Sequence, residues 1–111
     1  PRAVGVRRAK EIILAGKPFG AREALDWGLV NRLCAPETLM DEALETASAI
    51  AANAPISVRQ AKTAVQASQS NDLKTGYDIE IACYQRVIDT EDRLEGVAAF
   101  NEKRKPVFKG K

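Results

Sequence analysis

The sequence predicts an all-α chain, and three observations carry that expectation. Apolar residues recur at three- and four-residue intervals through most of the 111 positions. Helix-ending residues punctuate the pattern at Gly16, Gly28, Pro55 and Pro106. The one short apolar stretch that reads otherwise, Leu29 to Cys34, is an extended crossing segment or a lone strand, and a lone strand cannot form a sheet.

The elements follow in order. A first helix is expected from about Val4 to Ala15, stopped by Gly16. Lys17-Pro18-Phe19-Gly20 is a turn, and a short helix from about Ala21 to Trp27 ends at Gly28. A stronger helix starts near Pro36, because proline suits a first turn. Leu39, Ala43, Ala47 and Ile50 form its apolar stripe, widened by Met40, Leu44 and Ala51, while Asp41, Glu42 and Glu45 face away. Asn53-Ala54-Pro55 breaks it. A helix from about Ile56 to Gln69 places Val58, Ala61, Val65 and Ser68 on one side.

Asp72 is a good N-cap for the next helix, which runs to about Ile88. That helix is apolar on more than one side, through Leu73, Tyr77, Ile81, Tyr84 and Ile88 and through Ile79, Cys83 and Val87. Such a helix is expected to be sandwiched between neighbours. Thr90 caps a last helix through about Arg104, with Glu91 and Asp92 at its positive end. On that helix Leu94, Val97 and Ala98 are expected to pack on the body of the protein.

Composition narrows the chemistry. Histidine is absent, which removes imidazole bases and histidine metal sites. Cys34 and Cys83 lack metal-ligand or CxxC spacing and read as buried thiols of a reducing compartment. A net charge of +2 gives no general argument for nucleic acid. No apolar run reaches the roughly 20 residues of a membrane span. The many carboxylates read as solvated faces, caps or ion pairs, with Glu80 closest to an apolar face. The chain opens at Pro1 without an initiator Met, and is expected to be a processed, cleaved or excised product.

The tail, Ala99 to Lys111, concentrates positive charge: Lys103, Arg104, Lys105, Lys109 and Lys111 stand against Glu102 alone. Phe100 lies off the apolar stripe of its helix and Lys103 almost opposite it, beside Gly96. One reading is a stacking surface beside a phosphate contact, with the ammonium acting as a point charge. The other is that Phe100 packs on another subunit and Lys103 is solvated.

Ala3 to Leu33, the helix start at Pro36-Glu37, IAANAPISVRQAK (Ile50 to Lys62) and TEDRLEGVAAFNEKRKPVFKG (Thr90 to Gly110) together resemble the crotonase family, the enoyl-CoA hydratases and isomerases. The resemblance implies the C-terminal helical region of an α/β spiral fold whose ββα core is absent here. Residues 1–35 would be the helices and connecting segment after that core, and 36–111 a helical oligomerisation region. It implies a lyase that adds water to trans-2-enoyl-CoA, with coenzyme A as part of the substrate and no tightly bound cofactor or metal. The oxyanion hole and both catalytic glutamates would stand upstream, so no catalytic residue falls in this chain and residues 1–111 alone would be inactive.

The family's last helices form trimers, or dimers of trimers, and contribute to the adenine and 3′-phosphate end of CoA bound by a neighbouring subunit. Phe100 and Lys103 fall at the matching positions. Tyr84 falls where many members carry an aromatic lining the same region. The implied location is the cytoplasm, or the mitochondrial matrix in a eukaryote. Alternatives are another acyl-CoA chemistry of the family (isomerase, dehydratase or hydrolase), a non-catalytic helical self-assembly module, and a nucleic-acid-binding tail.

Overall fold

Helix punctuation and apolar spacing produce six α-helices. The structure, a computed structural model, describes residues 1–111. The helices are α1 (Gly5–Ala15), α2 (Ala21–Asp26), α3 (Leu39–Ala51), α4 (Pro55–Ser68), α5 (Leu73–Ile88) and α6 (Glu91–Asn101), with a 3-10 turn at Pro36–Thr38 before α3. There is no strand, as the sequence predicts. The segment after α2 is neither extended nor a lone strand at its start. The Leu29 and Val30 N–H groups both fold back to donate to the Ala24 carbonyl, at 2.8 and 3.4 Å. That turn satisfies donors which an isolated strand would leave unpaired.

Two compact units divide the chain at Glu42–Ala43. In the first, Pro1–Glu42, Gly16 closes α1 in the left-handed region at φ 60°, its N–H donating to Ile12 O at 3.2 Å. Glu23 accepts the Gly20 N–H at 2.9 Å and so fixes the start of α2. The Phe19 and Trp27 rings sit 4.9 Å apart, tilted by 50°, and the Arg8 guanidinium lies 4.7 Å from the Trp27 centroid. Ala9 and Ala24 are the buried residues of this unit.

The second unit, Ala43–Lys111, is organised around the pairing of α4 with α5. Pro55 occupies the first turn of α4, where its missing N–H costs nothing. The Asp72 side chain accepts the Thr75 N–H at 3.0 Å, as its N-cap position predicts. That backbone hydrogen bond, with one from the Thr75 hydroxyl, holds the Asp72 carboxyl below its ordinary pKa.

Most apolar stripes remain open. Nothing in α3 is buried, and Cys83 is the one buried residue of α5. The expected sandwich around α5 is therefore not formed within the chain: α4 covers one side, and Leu73, Tyr77, Ile81 and Tyr84 stay exposed. Cys34, expected to be buried, is half-buried. The accessible surface is 8949 Å², whereas a folded monomer of this size exposes about 6,000 Å². No large side chain is fully buried. Helix formation is thus satisfied locally, while the apolar faces it creates lack cover. No helix is long and apolar enough to cross a membrane.

Candidate functional site

The last helix and the segment after it make a closed polar device. Thr90 starts α6: its hydroxyl accepts the Arg93 N–H at 3.2 Å and donates to Val87 O at 2.7 Å. The face of α6 that becomes buried is not the predicted one. Leu94 and Val97 are exposed, while Asp92 and Ala99 are buried. The cause is the returning tail. A Cβ placed on Gly96 would sit 3.7 Å from the Phe108 ring, so the ring lies against this small-residue face.

Asp92 is only 2% exposed, and its carboxylate is matched by donors. Its two oxygens accept the N–H groups of Lys109, at 2.6 Å, and Gly110, at 2.8 Å. The Asp92 N–H in turn donates to Lys111 O at 3.2 Å. A buried carboxylate with two such partners avoids the large cost of an unpaired charge. At the far end, Gly110 adopts φ 74° close to Pro55. A side chain there would meet both backbone strain and the proline ring.

The C-terminus of α6 also departs from expectation. The last helical residue is Asn101 rather than Arg104. Lys103 N–H donates to Phe100 O at 3.2 Å and Arg104 N–H to Ala99 O at 3.0 Å, the pair of hydrogen bonds of a Schellman motif. Lys103 occupies its left-handed position at φ 55°, the one positive-φ residue that is not glycine. Such a conformation is uncommon for lysine and needs support from its surroundings.

Glu95 lies within reach to supply that support. Its carboxylate takes both arms of the Arg104 guanidinium, at 2.6 and 2.9 Å, and accepts the Val107 N–H at 2.7 Å. Arg104 also pairs with Glu102. The Arg104 hydrogen bonds, followed by the Val107 N–H, hold the Glu95 carboxyl down at about 2. The same partners, Glu95 first, push the Arg104 guanidinium further up. The Asp72 and Glu95 carboxyls are both driven downward. Neither suits proton exchange near neutral pH.

This arrangement sorts the basic residues of the tail. Arg104 is engaged by two carboxylates, whereas the Lys103 ammonium has no partner and is exposed. Phe100, joined to Lys103 through the turn, is 84% exposed, more than any other large apolar side chain here. The Phe100 ring and the Lys103 ammonium are thus both exposed, on residues whose backbones are joined by the turn at the end of α6. Tyr84 stands elsewhere, on a groove of about 710 Å³ between α4 and α5 that neither Phe100 nor Lys103 lines. Ala64, Val65, Tyr77 and Cys83 line that groove too, and Glu80 is exposed at it. Gln60 Oε1, also in the groove wall, is buried without a hydrogen-bond partner.

Sequence reasoning missed Asp92 and Glu95 as anchors. It gave Asp92 to the helix dipole and left Glu95 among carboxylates read as solvated faces, caps or ion pairs, without naming Arg104 or the Val107 N–H as its partners. The signal available was two carboxylates three residues apart, followed, after a proline, by a tail rich in N–H donors and cations.

A family profile described as enoyl-CoA hydratase/isomerase matches residues 1–111. YngF of Bacillus subtilis (strain 168) is 49% identical over 110 residues, covering 99% of this chain and 42% of YngF. Enoyl-CoA isomerase/hydratase fer4 of Mycosarcoma maydis is 38% identical over 111 residues, covering 100% of this chain and 40% of its own. The crystal structure of enoyl-CoA hydratase from Bacillus anthracis superposes with a TM-score of 0.98 at 47% identity, over 100% of this chain and 43% of that one. The chain thus spans about two-fifths of the length of the relatives it matches.

Proposed function

The chain belongs to the enoyl-CoA hydratase/isomerase family, and from that premise we propose that residues 1–111 are the C-terminal helical part of an enzyme that adds water to trans-2-enoyl-CoA. In this reading the part present holds the CoA handle and the subunit contacts. The observation that carries it is the exposed Phe100 ring and the unpaired, exposed Lys103 ammonium at one turn, on a chain that matches the family along its whole length. Phe100 offers a face on which adenine stacks, and Lys103 a point charge for the 3′-phosphate. A charge-assisted hydrogen bond of this kind contributes roughly 1.5–3 kcal/mol.

Hydration of an enoyl thioester needs donors aimed at the developing enolate oxygen and carboxylates able to exchange protons. We assign neither to residues 1–111. Purified residues 1–111 are expected to give no hydration of crotonyl-CoA, while the intact enzyme turns over. Turnover by the 111-residue chain alone would overturn the assignment.

The uncovered faces of α3, α4 and α5 favour a second role for the same residues, contact between copies of the chain. Trimers, or dimers of trimers, are the proposed assembly of the intact enzyme. Tyr84, on the α4–α5 groove and apart from Phe100 and Lys103, fits this contact role at least as well as a ligand role. A helical self-assembly module with no ligand is the competing reading. Light scattering combined with a CoA titration separates the two, because an oligomer indifferent to CoA supports the module alone.

A further inference from the structure

We propose that Glu95 is a positioning residue for Lys103: by holding Arg104 and the Val107 N–H, it closes the turn that keeps Lys103 left-handed and leaves its ammonium free for a phosphate. The proposal rests on the reading of Lys103 as a contact to the 3′-phosphate of CoA.

Three observations lead to it. First, Lys103 sits at φ 55° with no glycine to make that conformation easy. The two Schellman hydrogen bonds define the turn, but a lysine there needs a further restraint against relaxing into the right-handed region. Second, the stretch immediately after Lys103, from Arg104 to Val107, is fixed to the helix by the Glu95 carboxylate, with Asp92 holding only the later Lys109 and Gly110. Glu95 meets Arg104 through two hydrogen bonds and Val107 through a third, so the chain on the far side of the turn cannot swing away. Third, this pairing decides which cation remains available. Arg104 and Lys103 are adjacent, and either could meet an anion. Glu95 and Glu102 neutralise Arg104, and Lys103 is left without a carboxylate. Glu95 therefore sets the backbone and selects the charge. It touches no ligand itself.

The test uses the intact enzyme and compares KM for a crotonyl thioester of CoA with KM for the same thioester of 3′-dephospho-CoA. The ratio of the two isolates the 3′-phosphate. Lys103→Ala is expected to reduce the preference for the 3′-phosphate about tenfold, the loss of one charge-assisted contact, read in the ratio of KM values. Glu95→Gln is expected to reduce it about threefold, read in the same ratio, because a turn released part of the time populates the competent geometry less. A loss of bulk folding would instead lower the active fraction and hence kcat for both substrates alike.

Lys103→Ala abolishing the preference while folded Glu95→Gln retains it in full would overturn the positioning role and leave the phosphate contact standing. Lys103→Ala leaving the preference intact would overturn the contact itself, and the positioning role with it. Should Glu95→Gln not fold, Arg104→Gln removes the other end of the same pair. An unchanged preference in that variant equally overturns the proposal.

Discussion

Two regions of the Ala43–Lys111 unit solve the same problem in opposite ways. The α6 helix and its tail meet mainly through hydrogen bonds, and they complete each other. Asp92 binds the backbone of Lys109 and Gly110, Glu95 binds Arg104 and Val107, and Phe108 fills the space over Gly96. The α4–α5 pair is apolar and left open, with Val65, Leu73, Tyr77 and Tyr84 each more than half exposed. Directional hydrogen bonds can be satisfied by a few residues of the same chain. Apolar area can be satisfied only by an equal area of something else. The strap closes on itself within residues 90–111, and the groove stays open.

Four substitutions or conditions probe that contrast. The largest effect is expected at the groove. Val65→Asp should weaken self-association of the chain at least about a hundredfold, because burying an unpaired carboxylate costs roughly 3 kcal/mol or more. Sedimentation equilibrium reads this, and unchanged association would place the contact elsewhere.

Next is Asp92→Ala in the strap. It strips two N–H groups of their acceptor, and about 2 kcal/mol of stability should go with them. The thermal midpoint should then fall by about 10 °C, with faster amide exchange at Lys109 and Gly110. An unmoved midpoint would show that the strap merely lies on the helix.

Lys103→Gly is expected to act in the other direction. Glycine removes the left-handed penalty but gives the unfolded chain more freedom, so the net gain is about 0.5 kcal/mol. A stabilised variant that has also lost the CoA preference would mark Lys103 as kept for its charge.

The smallest effect is one of pH. The Glu95 carboxyl is held at about 2 against an ordinary 4.5, so the folded state binds its proton less readily than the unfolded chain. Its stabilising contribution is then complete above about pH 4.5 and is lost as pH falls towards 2. Urea titrations across that window should show a slope that Glu95→Gln flattens. An equal slope in both proteins would remove Glu95 from the acid response.

The helices were readable because their signals are local. Asp72 and Thr90 cap as their positions predict, and Gly16 and Pro55 end and begin helices where expected. The burial of those helices was less readable. Periodicity identified Leu94 and Val97 as a packing face, yet within this chain they are exposed, because the tail returns over the opposite, small-residue face of α6 at Gly96. The candidate site divides in the same way. The exposure of Phe100 follows from helix spacing, and the structure agrees. Lys103 was placed on the helix by the same spacing, whereas it lies beyond the helix end in a turn set by Glu95, eight residues earlier. Proline at position 106 is a visible stop signal; a turn closed by side chains from the preceding helix leaves no such mark.

The strap has a mechanical consequence. It runs back along α6, so its anchors lie in series from Lys111 inwards: Asp92 with Lys109 and Gly110, then Gly96 under Phe108, then Glu95 with Val107 and Arg104. Force applied at Lys111 would peel them one at a time, and the helix itself would feel no load until Glu95 released. The turn at Lys103 is the last to open, which shields the residues proposed to grip the ligand from whatever pulls on the end of the chain.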